Sequence, residues 1–158
     1  MRTLHEDRPH RPVIFVAFSG HEVGSLGVHA FANRRRGILT TASGWIHFGA
    51  NIGAATNARN QLAASDNEVE AITAQAVAAS GLTLDRRLPR GTIPGGEAAV
   101  VHRAGGRYIA ITGGNALFHN PDDRGAQVVD PAVIAKFITA FAAVARSAVA
   151  RSALFSPG

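Results

Sequence analysis

The constraint that most limits this chain is an apolar run followed at once by a turn and a helix. Val13-Ile14-Phe15-Val16-Ala17-Phe18 is apolar throughout, and Ser19-Gly20-His21-Glu22 follows it. A run of this kind predicts a strand buried on both faces, over Arg11 to Phe18, as in the parallel sheets of α/β proteins. In an open α/β sheet, ligands gather beyond the carboxyl ends of the strands, so the turn carrying His21 and Glu22 is a candidate site. The alternative for Glu22 is an ordinary carboxylate on a surface loop.

Val23 to Arg36 predicts a crossover helix with Leu26, Val28, Ala30 and Phe31 on its inner face, ended by three Arg residues and Gly37. A second strand region spans Ile38 to Phe48, centred on Trp45-Ile46-His47-Phe48. Strand, helix, strand implies a right-handed crossover joining a parallel pair. Ala54 to Ala64 is weakly patterned and predicts loop. Ser65-Asp66-Asn67-Glu68 has the form of a capping box, with Ser65 as cap, opening a helix through Val69, Ile72, Ala76 and Val77 that Ser80-Gly81 closes.

Arg86 to Pro94 predicts loop, Glu97 to His102 a short helix, and Arg107 to Thr112 a strand. After the loop Asn115 to Val129, Asp130 as N-cap and Pro131 at the first helical position start a last helix. Val133, Ile134, Phe137, Ile138, Phe141 and Val144 then form its apolar stripe. With 158 residues the chain predicts one domain, 1–158, with no internal repeat and no linker.

Several function classes are disfavoured. The net charge is +5, but the densest basic run is Arg34-Arg35-Arg36, and Trp45 and Tyr108 stand apart from it. Nucleic-acid binding is therefore not expected, and the Arg triplet is better read as a solvated helix end. No stretch is read as long enough to span a bilayer, so no membrane partner is expected. The polar start lacks the apolar centre of a signal peptide, which predicts a cytoplasmic chain unless an upstream segment carries a signal. With no Cys, any metal must be held by the seven His and eleven acidic residues.

The two polar clusters that follow strands are His21-Glu22 and Phe118-His119-Asn120-Pro121-Asp122-Asp123. If both open on one sheet edge, Glu22 and His119 form a carboxylate–imidazole pair of the kind that binds zinc, with Asp122 or Asp123 orienting the imidazole.

The run R-P-V-I-F-V-A-F-S-G-H-E-V-G-S-L-G-V-H-A-F resembles a segment of the co-catalytic zinc aminopeptidases, relatives of bacterial leucyl aminopeptidases and glutamate carboxypeptidases, that reads approximately R-x-I-x-F-x-x-F-x-G-E-E-x-G-L-x-G-S. F-H-N-P-D-D-R-G-A-Q-V-V-D-P resembles the family's closing H-T-x-x-D-x-x-x-x-V-D-P. The resemblance implies a three-layer α/β/α sandwich around a mostly parallel, mixed sheet, lacking an N-terminal part. It implies zinc as cofactor, a peptide or small amide as substrate, Glu22 as a metal ligand, His119 as the last metal ligand and Asp123 as the acidic residue after it.

The chain also departs from the family. His21 occupies the position of the general-base Glu, and Gly49 or Ala50 replaces a ligand Asp in the segment resembling I-N-L-D-M-I-G. The ligands that the family takes from upstream are absent, so two of five remain. His21, His47, Glu97 and His102 are the residues that could complete a single-metal site, with His47 best placed, although a strand His bonded to a neighbouring loop is the simpler account of it. Glu97 is expected as a pocket residue. The function expected is a metallo-aminopeptidase-like hydrolase domain with an incomplete metal site and impaired activity; the alternative is a non-catalytic binding module of the same fold. A homo-oligomer or a missing N-terminal segment is the expected remedy for an unfinished sheet.

Overall fold

The computed structural model describes residues 12–50, 52–55, 59–125 and 128–150. In chain order the elements are α1 (Leu26–Arg34), α2 (Ile38–Thr41), β1 (Trp45–Phe48), β2 (Arg59–Ala64), α3 (Asn67–Ala79), β3 (Arg86–Arg87), α4 (Ala98–Arg103), β4 (Tyr108–Gly114) and α5 (Pro131–Ala150). Among the described residues the four strands form one open, mixed sheet in the order β1-β4-β2-β3. β1 runs parallel to β4, with Trp45 opposite Tyr108 and Phe48 opposite Ile111. β2 runs antiparallel to β4, with Leu62 opposite Ile111 and Asn60 opposite Gly113. β3 pairs parallel to β2 through Gln61–Arg86 and Leu62–Arg87. The chain is thus α/β.

Side chains alternate across a strand, so each central strand feeds two cores. Leu62 and Ala64 of β2 and Ile109 and Ile111 of β4 join Val69 and Val77 of α3 and Phe137, Ala140, Phe141 and Val144 of α5. The intervening residues Ala63, Tyr108 and Ala110 meet Ala98 and Val101 of α4, with Leu39, Trp45 and Leu88 packed around them. Tyr108 is held by its hydroxyl against His102 Nδ1 at 3.0 Å.

α5 begins as its sequence predicts, with Asp130 Oδ1 accepting from the amides of Ala132 at 2.8 Å and Val133 at 3.3 Å. Its buried face is Phe137, Ala140, Phe141 and Val144, whereas Ile138, expected in the apolar stripe, is 61% exposed and lies outside that face. At 20 residues α5 is long and apolar enough by length and composition to cross a bilayer, contrary to the expectation that no stretch reaches that length. Lys136 and Arg146 interrupt the run in the sequence, yet the helix they sit on continues through both.

The largest difference from expectation is the opening run. Arg11 lies outside the described residues, and Pro12–Phe18 joins no strand ladder; Ile14 and Phe15 are each 55% exposed. A strand is buried only where neighbours cover it. The two sides of β4 are occupied by β1 and β2, and the run pairs with neither outer strand. The expected crossover pair is therefore replaced by β1 and β4. α1 starts at Leu26 rather than Val23, after a turn in which Gly24 has φ +88°, and Gly37 has φ +83° beyond its end. Ile38–Thr41, expected within a strand region, is one helical turn.

Arg59–Ala64, expected as loop, is a central strand. Its amide and carbonyl groups are bonded on both sides, and its Ala side chains let helices approach closely. Arg86–Arg87 is likewise a two-residue strand within an expected loop.

The cap of α3 is displaced by one residue from the expected box. Asp66, not Ser65, accepts from the amides of Glu68 at 3.1 Å and Val69 at 3.0 Å. Ser65 instead donates to Asp66 Oδ2 at 2.9 Å and accepts from the Tyr108 amide at 3.0 Å. Glu68 turns to Arg107, which also bonds both Asp66 oxygens. Burial pushes the Asp66 carboxyl up, but Arg107, the Val69 amide and Ser65 outweigh it and hold it at about 2, below its ordinary 3.8.

A carboxyl held below its unfolded value stabilises the fold above about pH 4, and that contribution disappears as pH falls toward 2. Because its side chain is 37% exposed, solvent screening holds the effect to about 1–2 kcal/mol. Asp66→Ala is expected to lower unfolding free energy by about that amount at pH 7. The deficit should shrink as acid denaturation curves approach pH 2; a deficit constant with pH would refute the account.

Candidate functional site

β1 and β4 run parallel, so the loops after them open on one edge of the sheet. Trp45 and His47 share one face of β1, the face that meets α4, and His47 points toward the turn before that helix. Gly96 in this turn has φ +66°, and a Cβ added there would stand 2.7 Å from His47 Nε2. The left-handed backbone favours glycine here, and a methyl group would push the His47 imidazole aside. The turn delivers Glu97 to the first position before α4, where it meets His21 from the opposite side: His21 Nδ1 lies 2.9 Å from Glu97 Oε1.

The contact with Glu97 raises the His21 pKa above its ordinary value. Burial pushes Glu97 upward, but its hydrogen bond to His21 and the nearby imidazoles carry it below the usual carboxylate value. Half-buried His47 is pushed down, first by burial and further by the charge on His21, with Glu97 opposing. A carboxylate that accepts from Nδ1–H leaves Nε2 as the free basic nitrogen. His21 Nε2 is therefore available to take a proton at the mouth of the edge, since the side chain is 53% exposed.

The second pair joins the two segments that the resemblance singled out. His119 Nε2 stands 3.6 Å from Glu22 Oε1. The Glu22 carboxylate projects from the turn in which the amides of Gly24 and Ser25 both bond His21 O, at 3.2 and 3.1 Å. His119 has φ +62°, rare for a residue with a side chain, and its ring stacks on Phe118 with centroids 3.9 Å apart.

No family model matches the chain, nor does any curated protein or any solved structure.

A catalytic zinc takes three protein ligands and a structural one four. Glu22 and His119 supply two, and no group of three or more His or acidic residues able to hold a metal occurs among the described residues. The donors present do not fit a complete zinc centre, and still less a pair of metals. His21 is committed to Glu97, and His47 stands against Gly96. His102 bonds Tyr108 at the start of β4, the opposite end of that strand from the loop carrying His119. Asp122 and Asp123 lie in the tight turn after His119, their amides bonded to Asn120, and among the described residues the acid paired with His119 is Glu22.

Sequence reasoning missed the His21–Glu97 bond and the pairing across β2 and β4 in which Gln61 Nε2 donates to Thr112 Oγ1 at 3.0 Å. Gly95-Gly96 ahead of a helix was the available signal, because paired glycines permit close backbone approach. Asn60, on the other face of β2, is buried with its side-chain oxygen unpaired.

Proposed function

We propose that the chain is a metallo-aminopeptidase-like hydrolase domain, of zinc-exopeptidase-like three-layer architecture, that recognises peptide or amide ligands at this sheet edge with an incomplete metal site. The observation that carries the reading is the 3.6 Å approach of Glu22 to His119, two residues distant in sequence that the family resemblance pairs as ligands of one site. An imidazole oriented by Glu97 at the base position, beside an open edge, is consistent with proton transfer to or from an amide substrate. Hydrolysis by this chain is expected to be weak, because only two metal donors are present.

A second reading, a non-catalytic peptide-binding module of the same ancestry, is favoured by the loss of the carboxylate base to His21. Backbone amide shifts on adding a dipeptide with a free amine, combined with turnover of an aminoacyl anilide panel, decide between them. Perturbation confined to residues 20–22, 95–98 and 112–119 with slow turnover lost in Glu22→Ala supports the hydrolase; the same perturbation without turnover supports the module. If neither peptide nor anilide perturbs these residues and nothing is hydrolysed, both readings are wrong.

A further inference from the structure

The sheet face that α4 packs on is apolar at Ala63, Tyr108 and Ala110 and turns polar two residues further along β2 and β4. There Gln61 lies opposite Thr112, and Gln61 Nε2 donates to Thr112 Oγ1 at 3.0 Å. Alternation along β2 places Arg59 on this same face. Arg86 pairs with Gln61 across the parallel β2–β3 ladder and so shares its face; Leu88, two residues on, packs into the α4-side core, whereas Arg87 turns to Glu70 of α3 at 3.7 Å. The Cα atoms of Arg59 and Arg86 are diagonal neighbours, about 8 Å apart, so two side chains of this length can grip one ligand.

Both arginines are exposed, and among the described residues no carboxylate pairs with either. The acids that border them have other partners: Asp85 Oδ2 accepts from the Asn60 amide at 2.6 Å, and Glu97 holds His21. Gly114 stands opposite Arg59, and a Cβ there would meet nothing within 4 Å, which leaves open space over the strand end. On the other side, a Cβ at Gly95 would stand 3.8 Å from Thr112 Cγ2, so this turn borders the same patch. The hydrogens left over are those of two guanidinium groups, the second amide hydrogen of Gln61 and the Thr112 hydroxyl.

We propose that Arg59, Arg86, Gln61 and Thr112 form a binding site for a small oxyanion, a phosphate or a free carboxylate, on the α4 face of the sheet. Planar guanidinium groups match the paired oxygens of such anions, and two of them on adjacent strands close on one ligand from two directions. The inference stands on strand register and unpaired charge, and does not depend on the peptidase reading.

The test is titration calorimetry at constant ionic strength with three ligands: inorganic phosphate, an N-acetylated dipeptide with a free carboxylate, and the same dipeptide as its amide. The expected result is saturable one-to-one binding of phosphate, of the dipeptide acid, or of both, and none of the amide; which anion binds tells the two sources apart. Arg59→Gln and Arg86→Gln should each weaken binding about 10-fold or more, and the double variant should abolish it. Because both side chains are exposed, the variants should keep the wild-type melting temperature, and Arg36→Gln, an exposed arginine beyond α1, should bind as the wild type does. No saturable binding of either anion, equal binding of acid and amide, or an equal loss in Arg36→Gln would each overturn the proposal.

Discussion

Replacing Phe137 by Ala is expected to cost about 3–5 kcal/mol of unfolding free energy. Phe137 is 1% exposed and sits where α5 crosses the β2–β4 ladder, in the cluster with Leu62, Ile109 and Ile111. Its ring neighbours Phe141, with centroids 6.4 Å apart, and Phe141 in turn lies 3.8 Å from Phe48 on β1. Truncation opens a cavity lined by rigid strand residues that are fixed by hydrogen bonds and close poorly around it.

For a chain of this size the loss corresponds to a melting temperature lower by about 10 °C or more. The matched control is Ile138→Ala, one residue along the same helix but 61% exposed, for which a change within about 0.5 kcal/mol is expected. Thermal or urea unfolding of the two variants measures the difference. Equal losses would mean that α5 does not lie on the sheet by the face carrying Phe137.

That contrast also marks where the sequence is readable and where it is not. α5 and α3 are legible because their signals are local: Asp130-Pro131 starts one, and the segment Ser65-Asp66-Asn67-Glu68 marks the start of the other. Even so, the choice between Ser65 and Asp66 as cap is made by Arg107, a residue remote in sequence that binds Asp66 with two nitrogens. β4 is legible from its own apolar residues. β2 is not, because Arg-Asn-Gln-Leu-Ala-Ala has no β-branched or aromatic residue, and its extended state comes from the ladders on both sides of it. The opposite error is Val13–Phe18, whose composition suits a buried strand but whose neighbours do not cover it.

The candidate site divides in the same way. The Glu22 and His119 segments each follow an apolar run and resemble family motifs, so their meeting could be anticipated. The His21–Glu97 bond could not, because it depends on how far α4 lies from β1, a distance set by Gly95, Gly96 and the small residues beneath them.

Gly106→Ala is expected to be the second most damaging of the substitutions considered, because three backbone segments converge on a position with no room for a methyl group. Gly106 joins α4 to β4; its amide closes the helix on Val101 O at 2.9 Å. A Cβ built there would fall 2.1 Å from Leu39 O and 2.7 Å from Val101 Cγ1. The first of these is backbone, so relief requires that α2 move away from β4 rather than that a side chain rotate. Leu39 O is also the acceptor for Trp45 Nε1 at 3.1 Å, and the Trp45 amide donates to Arg107 O at 2.9 Å at the start of the β1–β4 ladder.

Displacing α2 therefore strains the packing and weakens the Trp45 bond together, a combined loss of about 2–4 kcal/mol. Trp45 is the sole Trp in the chain, so its fluorescence reports the same event. A red-shifted emission in the folded variant, accompanied by the stability loss, is the expected outcome. Destabilisation with unchanged emission would place the strain in α4 at Val101 instead. If neither changed, α2 would not rest against the α4–β4 junction, and the packing of Leu39 and Trp45 on the α4 face of the sheet, on whose edge His47 sits, would be wrong.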